Sequence, residues 1–94
     1  MATIKDNELL RQFEITTSKG LVTIEYALQE RKIFLTKLAA PEQEAEEVVQ
    51  QFISDVLEIV EARKLKVVPT HAKMVSFFRK NKKYHTLLPP GIKL

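Results

Sequence analysis

Between Pro41 and Lys64, apolar side chains return every three or four positions: Ala45, Val48, Val49, Phe52, Ile53, Val56, Leu57 and Val60. That spacing winds one continuous apolar stripe around a helix, with Glu46, Glu47, Gln50, Gln51, Asp55, Glu58 and Glu61 largely turned outward. The pattern predicts a helix starting at Pro41, because a first helical residue needs no N–H partner and proline has none to offer. Glu42, Glu44, Glu46 and Glu47 suit the positive end of its dipole, and Arg63, Lys64 and Lys66 suit the other end.

Before this helix the period falls to two. Phe13, Ile15 and Thr17 alternate with Glu14 and Thr16, and Val22, Ile24 and Tyr26 alternate with Thr23 and Glu25. Ser18-Lys19-Gly20 lies between them as a hairpin turn, since glycine reaches positive φ without strain. Lys32–Leu38 carries Ile33, Phe34 and Leu35 and reads as a third, more apolar and more central strand. Short connections make these three an antiparallel meander, and residues 1–10 read as a loose lead-in. After the helix, Leu65–Pro69 gives a short fourth strand, parallel to the third if the crossover is right-handed. Thr70 is placed to cap a second helix with Met74, Val75 and Phe78 inward, and Tyr84, Leu87 and Leu88 form an anchored tail. The order β-β-β-α-β-α gives a single α+β domain, a sheet with helices packed on it, with its core over residues 12–88.

Composition narrows the setting. The 94 residues are 45% hydrophobic and 29% charged, as in a globular domain. No apolar run approaches the roughly 20 residues that span a bilayer, and Met1–Asp6 lacks the apolar core of a signal peptide. A soluble cytoplasmic protein is expected. With no cysteine there is no disulfide, thiolate chemistry or cysteine-based zinc site, and His71 and His85 lack further ligands at metal-binding spacing, so no metal is expected. Neither a phosphate-binding glycine loop nor a Gly-x-Ser-x-Gly nucleophile motif is present.

The net charge of +3 conceals an asymmetry: nine cations and no carboxylate follow Glu61, so residues 1–61 carry −6. The basic third can attract nucleic acid or a phosphorylated ligand, or the two parts can face each other and neutralise within the fold. Lys73, Arg79, Lys80, Lys82 and Lys83 with Phe77 and Tyr84 would bind nucleic acid by stacking between charges. No nucleic-acid signature accompanies them, so nucleic acid is not the expected partner. Glu14 and Glu25 are either paired carboxylates or the solvent face of a hairpin. His71, between a strand end and a helix start, is a candidate base for deprotonating an amine, or a capping or surface histidine.

Several runs carry a family resemblance: Val22-Thr23-Ile24-Glu25-Tyr26, Lys32-Ile33-Phe34-Leu35, and Ala62-Arg63-Lys64-Leu65-Lys66-Val67-Val68-Pro69, followed by Phe77-Phe78-Arg79-Lys80 and Tyr84. Over residues 12–88 they resemble the small GNAT-like N-acetyltransferase domains. The resemblance implies a GNAT-like fold and acetyl transfer from acetyl-CoA to an amine acceptor. The CoA pyrophosphate would rest at the start of the long helix, beside strand-end backbone at Leu38, Ala39, Ala40 and Thr70. The chain departs from the family in three places. The Arg/Gln-x-x-Gly-x-Gly/Ala loop is replaced by Pro41-Glu42-Gln43-Glu44-Ala45-Glu46-Glu47, with no glycine and four carboxylates. The family's His-Thr at the third strand end is Lys37-Leu38, and its cysteine after the fourth-strand proline is His71, which rules out a cysteine thioester route. The expectation is a GNAT-like N-acetyltransferase or a degenerate descendant of one. The alternatives are a non-catalytic binding module on this fold and a small nucleic-acid-associated protein.

Overall fold

A computed structural model describes residues 3–92. Strands β1 (Lys5–Asn7), β2 (Gln12–Thr17), β3 (Gly20–Gln29) and β4 (Lys32–Ala39) lead into helix α1 (Glu46–Ala62). Strand β5 (Lys66–Pro69), helix α2 (Ala72–Lys80) and a 3-10 turn (Lys82–Leu87) follow. The strands form one sheet in the order β1-β2-β3-β4-β5, antiparallel throughout except that β4 and β5 run parallel across the α1 crossover. The α+β class is as expected, with five strands instead of four.

Register explains the core. Phe13 lies opposite Ile24, Ile15 opposite Val22, Tyr26 opposite Leu35, and Ile33 opposite Val67, so all share one face of the sheet. They meet Val49, Phe52, Ile53, Val56, Leu57 and Val60 of α1 and Met74, Phe77 and Phe78 of α2 in a single apolar cluster. Each large side chain so buried stabilises the fold by about 1.5–3 kcal/mol before entropy is counted. The expected inward set on α2 needs one change: Phe77 is buried and Val75 only half-buried. Tyr84, Leu87 and Leu88 pack back against the cluster as the sequence implied.

Strand β4 carries one irregularity. Glu25 pairs with Lys37 and Tyr26 with Leu35, which leaves Thr36 without an opposite residue. This is a β-bulge: one extra residue bends the strand and shifts its alternation. Leu35 and Leu38 therefore both face inward, with Thr36 and Lys37 exposed between them.

Three sequence expectations are corrected. Residues 1–10 are not a loose lead-in, because Lys5–Asn7 pairs with β2; Met1 and Ala2 lie outside the described residues. What holds β1 is Asp6. It sits opposite Phe13, accepts a hydrogen bond from the Tyr26 hydroxyl at 2.6 Å and pairs with the Arg63 guanidinium at 2.9 Å. A three-residue strand has too few positions to show a period.

The long helix begins at Glu46, not Pro41. Pro41 instead opens a turn in which the Glu44 amide donates to the Pro41 carbonyl at 3.0 Å. Its ring lies against the β2–β3 hairpin, so close that a Cβ on Gly20 would stand 3.2 Å from Pro41 Cγ. Gly20 also has φ +137°, a backbone conformation that strains any residue with a Cβ.

Thr70 does not cap α2. Its amide and its hydroxyl both donate to the Leu35 carbonyl, each at 3.2 Å, which ties the end of β5 to β4. The next residue takes the cap: His71 Nδ1 accepts from the Lys73 amide at 3.3 Å.

Candidate functional site

The tie at Thr70 marks the place where two parallel strands part. Strand β5 stops at Pro69 opposite Leu35, while β4 continues to Ala39. Past this point β4 is flanked on that side by the first half of α1 and by α2, and a cleft of about 90 Å3 opens among the three elements. Its apolar floor is Leu38, Val49, Ile53 and Phe77. Its rim is Glu46 and Gln50 from α1 and Lys73, Ser76 and Lys80 from α2.

Helical spacing explains the rim. Lys73, Ser76, Phe77 and Lys80 stand at i, i+3, i+4 and i+7, as do Glu46, Val49, Gln50 and Ile53, so each set occupies one helix face. The bulge at Thr36 turns Leu38 inward to complete the floor. A cleft of this size receives a small group or one side chain, and any longer ligand continues along the rim. Chemically it offers an apolar seat with ammonium groups on one wall and a carboxylate on the other.

Charge is left uncompensated on the α2 wall. Among the described residues the ion pairs are Lys37–Glu25 at 3.9 Å and Arg63–Asp6 at 2.9 Å, so neither Lys73 nor Lys80 has a carboxylate partner. Among the described residues the one ion pair that joins the acidic and basic parts of the chain is Asp6–Arg63.

The sequence candidates are distributed unevenly around this cleft. Leu38 lines it; Ala39 and Ala40, the first half-buried and the second exposed, continue the chain beyond it. Thr70 is committed to Leu35, and His71 is half-buried with one ring nitrogen engaged as the α2 cap. At the start of α1, Ala45 provides no side-chain cap, and Glu46 and Glu47 occupy the first turn. Glu14 and Glu25 are not a carboxylate pair. Hydrogen bonds from Gln12 and Asn7 hold the Glu14 carboxyl below its ordinary value, whereas Glu25 faces Lys37. Among the described residues no group of three or more histidines and carboxylates is arranged to hold a metal, and no helix is long and apolar enough to cross a membrane.

Gln50 and Ser76 were not apparent as site residues from the sequence. The signal that could have found them is the shared helix face: Gln50 lies four residues from Glu46 and three from Ile53, and Ser76 three from Lys73 and four from Lys80. Tyr84, considered as a stacking residue, has its ring 5.6 Å from that of Phe77, and the Lys83 ammonium stands 5.0 Å from its centre.

No protein-family model matches the chain, and no curated protein matches it.

Proposed function

We propose that this chain is a GNAT-like domain that binds acetyl-CoA, or a closely related acyl thioester, across the cleft between α1 and α2. The observation that carries the reading is the parting of β4 and β5 after Leu35 and Pro69, with an apolar floor and two unpaired lysines directly beyond it. Such a ligand has an uncharged arm ending in the thioester and a phosphate-bearing end. Leu38, Val49, Ile53 and Phe77 suit the arm, and Lys73 and Lys80 suit the phosphates. The start of α1 does not suit a pyrophosphate: no glycine lets backbone approach closely, and Glu44, Glu46 and Glu47 repel the charge.

When bound, the ligand supplies an acetyl group activated for attack by an amine. Toward that chemistry the chain contributes binding and orientation from the cleft walls; with Nδ1 accepting the Lys73 amide, the neutral His71 ring carries its proton on Nε2, so it serves as a base only when the cap is released. A second reading, a non-catalytic module that binds the same ligand, is favoured by one specific observation: His71 spends Nδ1 on capping α2.

The test is calorimetric titration with acetyl-CoA and with a desulfo analogue, followed by an amine-acetylation panel on the wild type and on His71→Ala. Saturable binding of both ligands with acetylation that falls in the variant supports the enzyme. Binding without acetylation of any amine supports the module. No heat with either ligand up to about 1 mM, a concentration corresponding to about 4 kcal/mol of binding, sinks both readings.

A further inference from the structure

Helices α1 and α2 lie side by side in the layer that covers the inward face of the sheet, joined in one core and separated by the cleft. Their outward surfaces are opposite in sign. Helix α1 contains no cation and exposes Glu46, Glu47, Glu58 and Glu61. Helix α2 and the 3-10 turn contain no carboxylate and expose Lys73, Arg79, Lys80, Lys82 and Lys83. None of these lysines, nor Arg79, is in an ion pair among the described residues. The molecule therefore presents one surface divided along the cleft into an acidic half and a basic half.

A surface divided in this way is complementary to itself. Turning a second copy over about a two-fold axis that runs along the cleft exchanges left for right. The acidic half of each molecule then faces the basic half of the other, and both contacts form at once. We propose that this surface docks a second copy of the same chain, α1 against the partner's α2 and 3-10 turn, in an isologous and salt-sensitive dimer. A nucleic acid fits the surface less well. A polyanion laid along the basic half would run beside Glu46 at the cleft rim, and the Tyr84 ring is already engaged by Phe77 and Lys83. Because the axis runs along the cleft, a docked partner covers it, and docking competes with any cleft ligand for Lys73 and Lys80.

The experiment is sedimentation of the full chain over a concentration series. In about 20 mM salt, where screening extends roughly 20 Å, the average mass should climb from monomer toward dimer through about 0.1–1 mM protein, and it should return to monomer in about 500 mM salt. Two exposed charge reversals isolate the halves: Glu58→Lys with Glu61→Lys, and Arg79→Glu with Lys82→Glu. Neither pair touches the cleft, and unchanged circular dichroism establishes that each variant folds. Each variant alone should weaken self-association at least about tenfold, because like charges then oppose across the axis. Their equimolar mixture should associate again, because the unaltered basic half of one variant meets the unaltered acidic half of the other. A wild type that stays monomeric in low salt overturns the proposal, as do variants that dimerise like the wild type or a mixture that stays monomeric. A monomeric wild type that binds a labelled oligonucleotide would assign the basic half to nucleic acid instead.

Discussion

Replacing Tyr26 with phenylalanine removes one oxygen and little volume. The side chain is 5% exposed, its ring packs 4.9 Å from that of Phe13, and its hydroxyl donates to Asp6 Oδ1 at 2.6 Å. Asp6 keeps Arg63 at 2.9 Å when the hydroxyl is gone, so the carboxylate is not stranded. A hydrogen bond to a charged group contributes about 1.5–3 kcal/mol net. The proton on Tyr26 responds to the whole of this environment and not to the hydrogen bond alone. Burial, and then the Asp6 carboxylate that accepts its hydrogen bond, push the phenol from 10.0 to about 12. That displacement corresponds to at most about 3 kcal/mol.

Tyr26→Phe should therefore cost about 2 kcal/mol at neutral pH, or roughly 10 °C in Tm for a domain of this size. Because the folded phenol holds its proton more tightly than the unfolded one, its contribution is complete below about pH 10 and lost as pH rises toward 12. The gap between wild type and variant should close over that window, while lysine titration affects both proteins alike. Urea unfolding followed by circular dichroism at neutral pH and at several values above 9 measures it. A neutral-pH gap below about 0.5 kcal/mol, the level of an ordinary surface change, would refute the Asp6 anchor. So would a gap that persists unchanged at the alkaline end.

Three further outcomes follow from the same structure. His71→Ala should destabilise the fold by about 1 kcal/mol and His71→Asp should recover most of it in thermal unfolding, since a carboxylate caps as well as an imidazole nitrogen; any acetylation that His71→Asp fails to recover belongs to the ring. Phe52→Ala, at a residue 1% exposed in the centre of the core, should cost about 3–5 kcal/mol in chemical denaturation. Exchanging exposed Lys73 and Lys80 together for glutamine should leave Tm within a degree or two yet weaken acetyl-CoA binding about tenfold by calorimetry.

The sequence made the meander, the crossover and both helices visible because each has a period long enough to count. Phe13 to Tyr26 alternates across a hairpin, and Val48 to Val60 follows 3.6 residues over four turns. What it concealed depends on contacts distant in the chain. Strand β1 owes its place to Tyr26 and Arg63, 20 and 57 positions away from Asp6. Pro41 sits in a turn beside Gly20 and outside α1, although its local chemistry suits a helix start. Thr70 is the better capping residue by type, but the Leu35 carbonyl claims it first. The cleft was partly legible. Leu38 was named as strand-end backbone and Lys73 and Lys80 as members of a basic cluster, whereas Gln50 and Ser76 gain their meaning only when α1 and α2 are set side by side.

The most direct test of the proposed acyl-CoA site is an amide-resolved titration of the full chain with acetyl-CoA. Saturable shifts should concentrate on Leu38, Val49, Gln50 and Ile53 and on Lys73, Ser76 and Lys80, extending through Ala39–Glu47 and His71. The amides of β1 and β2, on the far side of the sheet, should not move. Shifts confined to another surface, or none up to about 1 mM ligand, would contradict it.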